Sequence, residues 1–134
     1  MAAFDEAVKT QWNQSANFWN ERSCNMWDHG SRKKIIPFIK QYADKSEPLL
    51  DIGCGDGYGT LKLAEAGFQV AGVDLSNEMI LLAKQRISHH NVRFEEADAR
   101  SLPFGEGAFA TFRQSICWNG RRIHWKFCRN GYGY

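Results

Sequence analysis

Residues 49–60 read LLDIGCGDGYGT, a short apolar run from Leu49 to Ile52 that passes at once into Gly53-Cys54-Gly55-Asp56-Gly57. Pro48 precedes the run and Gly53 ends it, which are the bounds of a buried strand. Glycines directly after a strand let the backbone turn tightly and approach a ligand. The spacing is G-x-G-x-G with an acid, Asp51, two places before the first glycine. It is therefore not the dinucleotide fingerprint G-x-G-x-x-G. Alone, such a turn is also found in loops that hold no ligand, so its surroundings have to decide.

Downstream, the pattern predicts a helix over Thr60 to Ala66, a stop at Gly67, and a strand over Gln69 to Val73. A helix opened by Ser76 follows over Asn77 to Ile87, then a strand over Val92 to Glu95. Strands alternating with helices at this spacing imply right-handed crossovers and a parallel sheet. The fold class read from this is α/β, a Rossmann-like doubly wound parallel sheet. Upstream, Phe4, Val8, Trp12, Phe18 and Trp19 recur at helical spacing over Phe4 to Arg22. A second helix is expected after Ser31 as N-cap, with Ile35, Ile36, Phe38, Ile39 and Tyr42 on its apolar side and Pro37 in its first turns or at a bend. A fourth strand is expected near Ala108 to Ile116.

Composition narrows the function. A chain of 134 residues, 43% hydrophobic and 24% charged, is the size and make-up of one globular domain rather than a disordered tail. Its 17 basic and 15 acidic residues leave a formal charge of +2, too slight a bias for nucleic-acid binding to be the main business. No apolar run approaches the roughly 18 residues of a membrane span. Asp5 and Glu6 stand where a signal peptide is basic and then apolar, so a cytoplasmic location is expected. Cys24, Cys54, Cys117 and Cys128 form no C-x-x-C and read as reduced thiols. His29, His89, His90 and His124 show no metal-ligand spacing, so no metal is expected; His89-His90 read as the end of a helix.

Acids at the ends of the next two strands complete the picture. Asp74 is placed to accept from both hydroxyls of a ribose, or else to cap the helix that Ser76 opens. Asp98, after the third strand, is placed to accept from an exocyclic amine, or else is a solvated loop acid. All lie at C-terminal strand ends and so define one crevice.

The text LLDIGCGDGYGTLKLAEAGFQVAGVDLSNEMI, continued by FEEADARSLPF, resembles the nucleoside-binding half of a class I S-adenosylmethionine-dependent methyltransferase. The resemblance covers about residues 47–109, the first half of that fold. Residues 1–46 form an expected N-terminal helical cap, whose MWDHGSRKKIIPF run resembles small bacterial members in which helices cover the cofactor. The resemblance implies that Gly53, Gly55 and Gly57 face the methionine part of the cofactor and that Asp51 reaches toward its amino group. It further implies that Asp74 and Leu75 contact the ribose and that Asp98 and Ala99 contact the adenine. S-adenosylmethionine is then the cofactor, S-adenosylhomocysteine the product, and an unidentified small molecule the methyl acceptor. No catalytic residue is singled out, because transfer from a sulfonium is an in-line displacement in which positioning supplies most of the rate.

Residues 110–134 depart from the family pattern. The stretch TFRQSICWNGRRIHWKFCRNGYGY carries Trp118 and Trp125 among arginines, with no Asp or Glu. Reading each third codon base with the next two makes Cys117 into Trp118 give Leu and Trp118 into Asn119 give Glu. With permitted choices between, the shifted text spells I-N-L-L-E-W-T-E-D-P-L-E-V-L, similar to the stretch after strand 4 in this family. The expectation is an out-of-frame, truncated product in which strand 1 or its neighbour exposes a bare sheet edge, open to pairing with a second copy. The rivals are a cofactor-binding or self-associating fragment without turnover and a basic aromatic tail that binds nucleic acid.

Overall fold

A computed structural model describes residues 3–98, 100–104, 110–114 and 125–128, with residues 3–5 and the last two stretches described by backbone alone. The described elements run α1 (Ala3–Asp28), α2 (Ile35–Tyr42), β1 (Leu49–Ile52), α3 (Tyr58–Glu65), β2 (Val70–Asp74), α4 (Asn77–Arg86), β3 (Val92–Glu96), β4 (Ala110–Gln114) and β5 (Trp125–Cys128).

One sheet carries all five strands in the order β3-β2-β1-β4-β5. β1 pairs in parallel with β2, Asp51 beside Gly72, and with β4, Asp51 beside Phe112. β2 and β3 are parallel, while β5 returns antiparallel on β4. The chain thus winds outward in one direction through β2 and β3 and in the other through β4. The point of reversal lies at β1, whose C-terminal end is where an open α/β sheet binds its ligand. The α/β parallel architecture read from the sequence is the observed one.

The fourth strand expected near Ala108 to Ile116 is β4, which covers the edge of β1 that the truncated reading leaves bare, and β5 pairs with β4 in turn. Arg113 and Gln114 occur within β4, because pairing satisfies the strand backbone whatever its side chains. The order expected of the remaining tail concerns residues 115–124 and 129–134, which lie outside those described.

Two layers of apolar packing hold the sheet. On one face Leu49 and Val70 meet Leu63, Ala64 and Phe68 from α3 and its exit, Ile35 and Ile39 from α2, and Trp27 from α1. Beside it, Ile80 and Ala83 of α4 cover Phe94 and Cys54. The opposite face shows Leu50, Ala71 and Val73 under Ala97, Leu102 and Phe104.

Helix boundaries follow local chemistry. Ser76 caps α4, its Oγ accepting from the Met79 N–H at 3.2 Å. Pro37 sits in the first turn of α2, where its missing N–H costs nothing. Ser31 is not the cap of α2; the chain keeps turning through residues 29–34, with the Ile35 N–H on the Arg32 carbonyl, and Lys34 takes the cap position. His89 and His90 also fall outside a helix. α4 ends at Arg86, and the two rings stack at 4.7 Å in the connection to β3.

Candidate functional site

The glycine turn leaves β1 with the Gly53 and Cys54 N–H groups both on the Val73 carbonyl, at 2.8 and 3.0 Å. Gly55 follows with φ +56°, and a Cβ built on it meets nothing within 4 Å among the described residues. Only glycine adopts that backbone without strain, and the space beside it is open. Its N–H points to the Asp74 carboxylate, Oδ2 at 2.9 Å, and the Ser76 N–H takes Oδ1 at 2.9 Å. Asp74 therefore joins the turn to the start of α4. Burial pushes its carboxyl above the usual range, while backbone N–H bonds from Ser76, Gly55 and Leu75 oppose that shift.

Asp51 is fully buried beneath the turn. Thr60 Oγ1 donates to its Oδ2 at 2.8 Å, and Oδ1 has no hydrogen-bond partner among the described residues. Burial raises its pKa to about 6, against the Thr60 bond and the positive charge of Arg32, which both lower it. Buried carboxylate oxygens are normally satisfied, so an unpaired one without exposed surface, beneath a glycine turn, sets Asp51 apart from the other acids here.

Arg32 is the residue that sequence reading passed over. It is 7% exposed, burial lowers its pKa to about 10, and the charges of Asp51 and Asp56 hold it up. In the sequence it stands first in Arg32-Lys33-Lys34, a run that reads as solvated charge. Only its burial, against Trp27 at 5.7 Å from the ring centre, sets it apart.

The third strand end is organised differently. Arg100 grips both carboxylate oxygens of Asp98, with Nη2 at 2.7 Å from Oδ2 and Nε at 3.0 Å from Oδ1, and holds its pKa down at about 2. Asp98 thus stays ionised, with its acceptor sites shared with Arg100. Ala99 lies outside the described residues. Leu75 is half-buried between Asp74 and Ser76. The structure brings Asp51, Gly53, Gly55, Asp74 and Leu75 together at the ends of β1 and β2, whereas Gly57, at the cap of α3, is buried against the core, where a Cβ would lie 2.5 Å from the Phe94 ring.

α1 bonds to the segment leaving each of these strands. Lys9 pairs with Glu96 at the end of β3. Asn13 accepts from Ser76 Oγ at 2.5 Å and donates to Asn77 at 2.9 Å, beyond β2. Ser23 Oγ donates to Asp56, beyond β1, at 2.5 Å. No group of three or more His, Cys, Asp or Glu among the described residues is arranged to hold a metal. Burial raises the Cys54 thiol well above its ordinary value, so it lines the turn as a neutral group and not as a nucleophile.

A family profile described as methyltransferase domain matches residues 49–125, from β1 through the start of β5. YqeM of Bacillus subtilis (strain 168), a protein named as a methyltransferase, is 40% identical over 85 residues, which is 63% of this chain and 34% of YqeM. The ubiquinone biosynthesis O-methyltransferase of Hydrogenovibrio crunogenus is 31% identical over 69% of this chain and 42% of its own. Among solved structures, Haemonchus contortus phosphoethanolamine N-methyltransferase 2, in complex with S-adenosyl-L-methionine, superposes with a TM-score of 0.58. It shares 29% identity over 65% of this chain and 22% of its own. The chain spans well under half the length of these relatives. A glycine turn at the reversal point of a 3-2-1-4 sheet, acids at the strand ends and the profile match agree: the chain belongs to the class I S-adenosylmethionine-dependent methyltransferases.

Proposed function

We propose that this chain binds S-adenosylmethionine at the ends of β1 and β2 and serves methyl transfer to a small-molecule acceptor. One observation carries the reading: a fully buried Asp51 with an open carboxylate oxygen, set beneath a turn that leaves free space at Gly55. A protonated amine fits that oxygen. Arg32, buried near Asp51, supplies the opposite charge, so the two match the ammonium and carboxylate of an amino acid. Asp74 offers two acceptor oxygens to ribose hydroxyls, and it already orients the turn through the Gly55 N–H. Asp98, ionised at neutral pH, is the acceptor for the adenine amine, with Ala99 beside it.

When bound, the cofactor would supply an electrophilic methyl group on a sulfonium, whose neutral thioether is the leaving group as the acceptor's lone pair bonds to the methyl carbon in line. The protein's part is binding, orientation and exclusion of water, which together convert a bimolecular encounter into a positioned one. Burial keeps the Cys54 thiol neutral, and transfer from a sulfonium draws mainly on positioning. Among the described residues no helix is long and apolar enough to cross a membrane. Cys24 and Cys54 are free thiols, which supports a cytoplasmic setting.

Titration calorimetry with S-adenosylmethionine tests the reading. Binding to the natural chain and its loss in Asp51→Asn, with the melting curve retained, is the expected result. Equal heats from both proteins overturn the assignment of Asp51.

A further inference from the structure

The turn holds a second buried acid that the cofactor reading does not use. Asp56 is 5% exposed, and every contact it makes leads into the scaffold. Its Oδ2 accepts from Ser23 Oγ of α1 at 2.5 Å and from Arg86 Nη1 of α4 at 2.8 Å, and its Oδ1 accepts from the Tyr58 N–H that opens α3 at 3.3 Å. Arg86 reaches back to α1 as well, with Nη1 on Asn20 Oδ1 at 2.5 Å and Nη2 on Cys24 Sγ at 3.6 Å. One carboxylate therefore ties three helices to the residue that follows Gly55.

This knot matters because of how α1 is attached. Of its 26 residues, Ala16, Ser23 and Trp27 are the buried ones among those with described side chains. Alongside the buried Ala16 and Trp27, it meets the neighbouring elements through the polar side chains of Lys9, Asn13, Asn20, Ser23 and Asp28. A helix held by a few directional bonds opens locally at lower cost than one held by an apolar stripe. The same bonds end on Asp56 next to Gly55, whose N–H orients Asp74. Asp56 is thus the next residue to the one whose N–H bonds the candidate cofactor acid Asp74.

We infer that Ser23, Asp56 and Arg86 form a latch that couples docking of α1 to the shape of the glycine turn, so that cofactor binding and closure of α1 favour each other. Asp56 is a positioning residue here, touching no ligand. The coupling rests on the cofactor reading above; the latch itself does not. By reciprocity, whatever strengthens α1 docking strengthens cofactor binding by the same factor.

Amide exchange of the full chain, with and without S-adenosylhomocysteine, tests both parts. Without ligand, amides around Asn20 to Cys24 are expected to exchange about fivefold faster or more in Ser23→Ala and Arg86→Gln, in line with ordinary coupling strengths. Glu21→Gln, an exposed position on the same helix, serves as the control and is expected to exchange as the natural chain does. Asp56→Asn removes a buried charge that faces Arg86, so Ser23→Ala, which removes only a hydroxyl, is the decisive variant. S-adenosylhomocysteine is expected to slow exchange of the same α1 amides in the natural chain, and to slow it less in Ser23→Ala, which binds with a Kd weakened by the same factor. A purely structural bond would lower the melting temperature and leave the ligand-dependent protection intact. Natural exchange rates in Ser23→Ala and Arg86→Gln overturn the latch. Faster exchange with unchanged Kd and unchanged protection overturns the coupling. Failure of the natural chain to bind S-adenosylhomocysteine overturns the cofactor reading and the coupling together, while the ligand-free rates still decide the latch.

Discussion

Asp51 and Asp56 stand on either side of Gly53 and Gly55, both buried, yet one has an open oxygen and the other is bonded on both. The crevice side of the turn, with Asp51, the open space at Gly55 and Asp74, is arranged for something to be added. The helix side, with Asp56, Trp27 and Gly59, is filled and satisfied. The contrast teaches that a glycine-rich turn divides its residues between two tasks. Asp51 and Asp56 are told apart by whether both oxygens already accept, because a buried, unpaired oxygen carries a desolvation cost that a ligand can relieve, while Asp74 accepts one N–H on each oxygen and keeps a further lone pair on each.

The comparison breaks most severely on the filled side. A Cβ built on Gly59 lies 2.0 Å from the Trp27 ring, inside the contact between α3 and α1. Gly59→Ala should cost about 3 kcal/mol, the upper end for overpacking, with cofactor binding lost only as far as the fold is lost. A denaturant midpoint unchanged from the natural chain would show that Trp27 does not seat on α3. On the open side the opposite is expected. Gly55→Val meets no neighbour but places a branched side chain at φ +56° and in the free space. Cofactor affinity should fall by about a hundredfold, roughly 2.7 kcal/mol, while the fold loses only the roughly 1–2 kcal/mol of a left-handed residue. Calorimetry beside a melt separates the two.

Asp74 links the two sides, and Asp74→Ala sharpens where the boundary lies. Loss of its acceptor oxygens should weaken cofactor binding by about 1–3 kcal/mol through hydroxyls left without partners. A lower melting temperature with unchanged affinity would assign Asp74 to capping alone.

The smallest effect is in pH. The Asp51 carboxyl, at about 6 when folded, lies above its ordinary 3.8. The sign follows: protonated Asp51 favours the folded state, so its contribution to stability is fully present below 3.8 and is lost as pH rises through about 6. Binding of an ammonium requires the ionised form, so cofactor affinity should rise about tenfold, roughly 1.4 kcal/mol, between about pH 5 and pH 7. A flat affinity profile in the natural chain would mean that Asp51 does not receive the charged group.

Sequence alone determined the elements whose signals are local. β1 runs from Leu49 to Ile52 as read, because an apolar run between Pro48 and Gly53 has no alternative to burial as a strand. Ser76 opens α4 as read, because capping joins a side chain to a backbone N–H three residues on. The alternation of strands and helices carried the parallel sheet with it. Tertiary structure decided everything that depends on who meets whom. α1 extends to Asp28, past the expected end at Arg22, where Tyr58 Oη and Lys62 Nζ of α3 both donate to the Asp28 carboxylate at 2.6 Å. A fourth strand was legible near Ala108 to Ile116, but its place beside β1 was not, because which strand satisfies its backbone is settled only by pairing. Arg32 became a buried charge and Asp56 a scaffold acid for the same reason. Burial and pairing are properties of a neighbourhood, and residues as distant in the chain as Ser23, Asp56 and Arg86 share one only after folding.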